Sequence, residues 1–142
     1  MDLHRMAGHL IRRMQQRSSQ VFKTRCQAAG YDLTSVQFAA LDALHHHPGI
    51  GQAKLAELIA YDRATIGGVV ERMEKKGLVR REVSARDRRA RVLALTPRGT
   101  QVFHDMLPLV EDLQTDILAA LTPEERQTYL DLSRKVLARA GD

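Results

Sequence analysis

The stretch KLAELIAYDRATIGGVVERMEKKGLVRRE, residues 54–82, leaves the chain few ways to fold. Leu55, Ala56, Leu58 and Ile59 mark the apolar side of a short helix over roughly 52–59, and Ala60-Tyr61 interrupts it. Asp62 suits the N-cap of a second helix running to about Lys76, and Gly77 suits its end. Two short helices separated by a brief turn have the spacing of a helix-turn-helix. At 100° per residue, Ile66, Val69, Val70 and Met73 share one side of the second helix and must face a core. Ala64, Gly68, Glu71 and Lys75 point the other way, flanked by Thr65, Gly67 and Arg72.

Adjacent glycines in mid-helix cost about 1 kcal/mol each relative to alanine, so something must offset them. Small residues let a helix backbone approach another surface closely, as when a helix enters a DNA major groove. Arg63 and Thr65 can then hydrogen-bond to base edges or phosphates, with Ala64 and Gly68 giving clearance. Gly67 also suits tight packing between helices, whereas Gly68 points away from the core. Lys54, Arg72, Lys75 and Arg80 surround this face and can neutralise phosphates, although each alone reads equally as a solvated cation. Glu71 repels phosphate unless it pairs with Arg72, Lys75 or a cytosine amino group.

LVRREV (78–83) and ARVLALT (90–96) alternate as two strands of a hairpin around a polar tip. Arg86, Arg88, Arg89 and Arg91 crowd that tip, more cation than a merely solvated turn needs. A narrow minor groove, with its negative potential, favours inserted arginine. Asp87, the one acid there, can pair with an arginine and hold the turn in shape.

The flanks are helical. Residues 3 to about 28 read as one long helix, with Gly30 suited to its C-terminal cap. Thr34-Ser35-Val36-Gln37 is a capping box opening a helix that Pro48-Gly49 ends. Thr96-Pro97 starts another, with Pro108 inside it as an expected kink. Thr122-Pro123-Glu124-Glu125 starts the last, with Tyr129, Leu130, Ser133, Val136 and Leu137 expected inward. The apolar stripes of the first and last helices exceed what a small core can cover, and a two-fold interface would bury them.

Charge is uneven along the 142 residues. Residues 50–99 carry twelve Lys/Arg against six Asp/Glu, and residues 100–142 carry four against eight. A basic middle beside an acidic tail indicates a localised polyanion footprint. Cys26 is the single cysteine, so no intrachain disulfide forms, which fits a reducing cytoplasm. No signal peptide and no membrane-length apolar run is visible. No nucleophile elbow, phosphate-binding glycine loop or paired cysteines is present, so no enzyme and no cofactor is expected. His45-His46-His47 are adjacent and cannot converge on one metal, and no metal site is expected.

LTSVQFAALDAL (33–44), KLAELIAYDRATIGGVVERMEKKGLVRRE and DRRARVLALTPRG (87–99) together resemble the MarR family of winged helix-turn-helix regulators, over nearly the whole chain. The resemblance implies a mainly α fold with a small β-hairpin wing in one domain, 1–142. Residues 34–96 would form the DNA-binding lobe, with 1–30 and 97–142 supplying dimerisation helices. It implies a homodimer reading a near-palindromic double-stranded operator. The family's Asp-x-Arg wing motif falls on Asp87 and Arg89, making Arg89 the minor-groove arginine and Asp87 its positioning partner, with Arg88 next in line.

The resemblance also implies a small-molecule effector, commonly an aromatic acid, and a repressor that the acid releases. AYDRATIGGVVERMEKKGLVRRE is most similar to regulators of aromatic or heteroaromatic acid catabolism. Arg17 lies in the apolar row of Leu10, Met14 and Val21, and His9, Arg13 and Arg17 form an i, i+4, i+8 line. A partly buried arginine needs an anion, either a ligand carboxylate or an acid such as Glu111, Asp112 or Asp116. Redox sensing through Cys26, metal sensing, and an effector-free architectural DNA-binding protein are the alternatives.

Overall fold

Local capping signals set the element boundaries in the computed structural model, which describes residues 2–140, with side-chain surroundings for 2–138. A single 3-10 turn at Leu3–Arg5 precedes α1 (Ala7–Ala28). The expected continuous helix is therefore interrupted at Met6, whose backbone is extended (φ −91°, ψ 117°). Gly30, at φ +85°, closes α1: Tyr31 N donates to Cys26 O and Gly30 N to Gln27 O, which satisfies carbonyls the helix leaves free.

The Thr34 capping box forms as expected. Thr34 Oγ1 accepts from Gln37 N (3.1 Å) and Gln37 Oε1 from Thr34 N (3.2 Å), opening α2 (Ser35–His46). Then come α3 (Gln52–Leu58), α4 (Ile66–Lys75), β1 (Val79–Val83) and β2 (Arg91–Leu95). The strands pair antiparallel with Val79 opposite Leu95 and Val83 opposite Arg91. Ile50 adds a bridge to Leu93 that the sequence pattern does not announce. Thr96 caps α5 (Pro97–Ile117) by accepting from Gly99 N (3.0 Å), and α5 runs through Pro108 as one helix. Finally, α6 spans Pro123–Ala140.

One core joins the flanking helices to the central lobe. Phe22 of α1, Phe38 of α2 and Phe103 of α5 are buried with ring centroids 6.4 and 5.7 Å apart in turn. Leu41, Leu44, Leu55, Ile66, Val70, Met73 and Leu93 complete the same cluster. Burial on this scale supplies most of the stabilisation, at about 1.5–3 kcal/mol per large apolar side chain. Arg25 clamps α1 to α5 through Asp112 (2.6 Å) and Asp116. Its hydrogen bonds to those carboxylates, Asp112 first, push the guanidinium pKa up.

The inward expectation for α6 is not met within one chain. None of its described side chains is buried: Val136 and Leu137 are 64 % and 69 % exposed, while Tyr129 and Leu130 are also exposed. Leu3, Met6, Leu10 and Ile11 at the other end of the chain are exposed too. Among the described residues no helix is long and apolar enough to cross a membrane.

Candidate nucleic-acid interface

The α3–α4 turn rests on a strained residue. Ala60 has φ +54°, and Tyr61 N donates to Ala56 O (2.9 Å) as Ala60 N donates to Glu57 O (3.3 Å). An alanine thus performs the left-handed helix-ending role usually given to glycine. It fixes the angle at which α4 leaves α3.

Asp62 starts α4 differently from expectation. Its Oδ1 accepts from Ala64 N (3.0 Å), and its carbonyl accepts from Thr65 N and Ile66 N. The helix proper begins at Ile66, three residues later than the capping pattern suggests, because Asp62 folds a side-chain turn instead. Arg63, Ala64 and Thr65 occupy that turn and are exposed. They lie at the N-terminal, electropositive end of α4.

Along α4, Ile66, Val69, Val70 and Met73 are buried as their spacing requires. The two glycines separate in role. A Cβ on Gly67 would stand 3.2 Å from the Gln52 side chain, so Gly67 lets α3 and α4 pack closely. A Cβ on Gly68 would meet only the Arg72 guanidinium of its own helix, at 3.6 Å and beyond. No core packing accounts for Gly68.

The hairpin tip is held by its own backbone. Ser84 Oγ accepts from Arg86 N (3.2 Å) and Asp87 N (3.3 Å), and Asp87 Oδ1 accepts from Arg89 N (3.0 Å). Asp87 therefore steadies Arg89 through the main chain; the expected pairing with an arginine side chain is not formed. A short acid at a turn can satisfy an N–H two residues on more cheaply than it can order a long guanidinium. Arg86, Arg88 and Arg89 are left exposed.

The candidate cations divide into two groups. Lys54 pairs with Glu57 (3.5 Å), Lys75 with Glu71 (3.4 Å) and Arg80 with Glu82 (2.6 Å). The Lys75 pair also neutralises Glu71, the one acid on the outward side of α4. Arg63, Arg72, Arg86, Arg88 and Arg89 make no ion pair with any described residue. Arg81, which sequence reasoning passed over, ties β1 to α4 through Glu74 (2.9 Å).

The α1 line is rearranged. Arg17 is exposed rather than partly buried, and it donates to the carbonyls of Ile117 (2.9 Å) and Asp116 (3.1 Å). Those carbonyls end α5, where the helix dipole is negative, so the anion expected for Arg17 is a helix terminus. The interhelical salt bridge exists, but Arg25 makes it. Arg13 and Arg17 both line an open groove of about 740 Å³ that Tyr129 also borders. His9 instead faces Arg12, with Nδ1 3.0 Å from its guanidinium.

A separate cleft of about 450 Å³ lies between α1 and the 31–36 segment, lined among others by Phe22, Lys23, Tyr31, Leu33, Ser35 and Val36. Its aromatic walls beside a lysine were not legible in the sequence, because the residues come from two segments with no shared motif. Cys26 nearby is 1 % exposed, and burial pushes its thiol pKa up, against a smaller opposing effect of Arg25. His45 stacks on Phe103 with centroids 4.6 Å apart and meets the edge of His104 at 5.1 Å.

Known proteins share this arrangement. The model of the MarR family matches residues 33–90. The HTH-type transcriptional repressor NicR of Pseudomonas putida is 35 % identical over 136 residues, covering 96 % of this chain and 85 % of NicR. BpsR of Bordetella bronchiseptica, solved in work on regulation of its DNA binding by 6-hydroxynicotinic acid, superposes with a TM-score of 0.87. The two are 30 % identical, over 96 % of each chain. PcaV of Streptomyces coelicolor, in complex with its natural ligand, superposes with a TM-score of 0.86 at 33 % identity, over 100 % of this chain and 98 % of PcaV. A helix-turn-helix with an arginine-tipped hairpin, matched over almost its full length by such proteins, makes this chain a DNA-binding transcriptional regulator of the MarR family.

Proposed function

We propose that this regulator is a homodimeric repressor of a near-palindromic operator, released by a small aromatic or heteroaromatic acid. The observation carrying the DNA-contact assignment is the set of exposed arginines without an acidic partner among the described residues, together with Gly68, where an added Cβ would meet only Arg72. In this reading Arg63, Ala64, Thr65 and Gly68 enter the major groove, and Arg72, with Lys54, Lys75 and Arg80 once their weak surface pairs exchange, meets phosphates. Arg86, Arg88 and Arg89 reach the minor groove from a tip shaped by Asp87. Each chain's lobe, 34–96, reads one half-site.

Dimerisation is supported by the bare apolar faces at both ends of the chain, which a second copy can cover. The segments 1–30 and 97–142 then form the two-fold interface. The repressor sign is supported by the relative NicR, the acid effector by BpsR with 6-hydroxynicotinic acid, and a bound small molecule by PcaV with its natural ligand. The 450 Å³ cleft has the size, aromatic lining and single lysine that suit an aromatic carboxylate. The Arg13–Arg17 groove is the alternative seat, although Arg17 already serves the end of α5.

The test is binding to a duplex selected by the protein from a random pool, titrated with benzoate, 4-hydroxybenzoate, nicotinate and 6-hydroxynicotinate. Gly68→Leu should lose specific binding while keeping its thermal midpoint; equal losses would assign Gly68 to packing. Lys23→Ala should abolish release by the active acid and leave operator affinity unchanged. If Arg17→Ala does this instead, the groove is the seat. Release of the wild type by none of the acids would remove the effector from the proposal.

A further inference from the structure

The recognition helix is fastened to the wall of the cleft by one side chain. Lys76 is the C-cap of α4, and Gly77 (φ +74°) then turns the chain toward β1. Its ammonium donates to Asp32 O (2.5 Å) and Gln37 Oε1 (3.1 Å), and the Asp32 carboxylate stands 3.8 Å away. Gln37 is 5 % exposed, the one buried polar side chain among the described residues. The same Oε1 accepts from Thr34 N in the capping box. Lys76 thus holds the segment 32–37 at both ends, and that segment lines the cleft through Asp32, Leu33, Thr34, Ser35 and Val36.

We propose that Lys76 is the positioning residue that couples the cleft between α1 and residues 31–36 to the recognition helix. A guest in the cleft must press on the 31–36 segment, which moves the Asp32 carbonyl and the Gln37 amide. Lys76 follows its two acceptors, because both hydrogen bonds are charge-assisted and one ends on a buried amide oxygen, so breaking them is costly. It sits where α4 ends and the hairpin begins, so its displacement re-aims both DNA-contacting elements together. The contacts proposed for this region run from Arg63, in the turn before α4, to Lys75 at its end, and Lys76 is not among them. Coupling and contact are therefore separable. The inference rests on the acid-responsive reading for the identity of the guest, but the mechanical link does not.

The experiment compares wild type, Lys76→Met and Lys76→Arg as full chains, with thermal midpoints to establish folding. Arginine keeps donors for Asp32 and Gln37; methionine keeps only the aliphatic length. In the first arm, operator affinity is measured with and without each of the four acids. Wild type is expected to show a weakening of about 5–150-fold, and Lys76→Met less than about 3-fold, at unchanged acid-free affinity. Lys76→Arg should restore most of the response.

In the second arm, amide exchange over residues 31–37 is followed with and without operator, since coupling between two sites is reciprocal. Operator should change exchange there in wild type and Lys76→Arg but not in Lys76→Met. If no acid acts on wild type, the effector reading fails, and the second arm alone decides the role of Lys76. An unaltered acid response in Lys76→Met overturns the inference. So does an operator effect on 31–37 exchange that Lys76→Met retains or wild type lacks, or loss of acid-free affinity in a folded Lys76→Met.

Discussion

Arg89→Ala offers the most direct measurement of the proposed interface, because the ion-pair pattern sets its magnitude. Five of the arginines proposed to contact DNA in each chain (63, 72, 86, 88 and 89) face solvent without an acidic partner among the described residues. If all of them met phosphates in a dimer, the slope of log affinity against log salt would be about −9, at about 0.9 per phosphate. Removing Arg89 from both protomers should make the slope shallower by about 1.8. A charge-assisted hydrogen bond is worth about 1.5 kcal/mol at the low end, so two half-sites lose on the order of a hundredfold in affinity. The assay is fluorescence anisotropy with a labelled operator from about 50 to 200 mM salt. The double variant Asp131→Ala/Arg134→Ala is the internal control. It removes an exposed α6 pair joined at 3.0 Å whose net charge is zero and which is not among the proposed DNA contacts, and should leave the slope unchanged. An Arg89→Ala protein with the wild-type slope and affinity would refute the wing assignment and the inference from unpaired charge behind it.

Three further perturbations test the scaffold. Gly99→Ala would drive a Cβ into the Leu78 backbone, with the carbonyl carbon only 3.0 Å away, and disturb the Thr96 N–Leu78 O bond of 3.1 Å. Denaturant unfolding should show a loss of at least about 1–3 kcal/mol, and unchanged stability would disprove that close approach. Ala60→Gly relieves a φ of +54°: about 1–2 kcal/mol of strain, less the roughly 0.5–1 kcal/mol that glycine's freedom costs, leaves a gain of up to about 1.5 kcal/mol. A lower thermal midpoint at equal protein concentration would contradict it. Cys26, whose folded thiol pKa is raised above its ordinary value of 9.0, should make stability pH-dependent. Above about pH 9 the unfolded thiol gives up its proton while the buried one keeps it, so unfolding is favoured as pH rises. Stability should therefore fall more between pH 8 and 10, a span of about two units, for wild type than for Cys26→Ala. Equal falls would mean the thiol is not held protonated by burial.

Much of this was legible before any coordinates, for reasons that differ by region. Thr34-x-x-Gln37 and Thr96-Pro97 are local devices, in which the side chain and the backbone group it satisfies lie within three residues, and Gly77 acts through its own backbone at φ +74°, so their sequence predicts their geometry. Asp62 shows the limit, since the same acid can cap a helix or fold a side-chain turn, and the choice moves the start of α4 to Ile66. Arg17 and Arg25 show a second limit. Both stand on α1, and no local rule decides which of them meets α5 carboxylates and which meets its terminal carbonyls, at separations of about a hundred residues. Gly99 and Ile50 were missed for the same reason: what constrains them is a backbone distant in sequence.

The exposed faces carry a different lesson. A stripe such as Tyr129, Leu130, Ser133, Val136 and Leu137 records that an apolar surface must be covered, and is silent about whose chain covers it. Of the two readings made for this helix, inward packing and a two-fold interface, the first is not met within one chain, where Val136 and Leu137 are 64 % and 69 % exposed. The buried cluster, by contrast, draws on the second half of α1 and on α5 as well as on the central lobe. The same two helices thus have one face in the lobe core and, in the proposed dimer, another in the interface. A change in how α1 and α5 pack in the dimer cannot leave Phe22, Phe38 and Phe103 undisturbed, since their rings form one contact chain between these helices and α2. In the proposed dimer, that continuity would give dimer geometry and half-site spacing a common physical basis, with Lys76 as the proposed carrier of the local signal within each lobe.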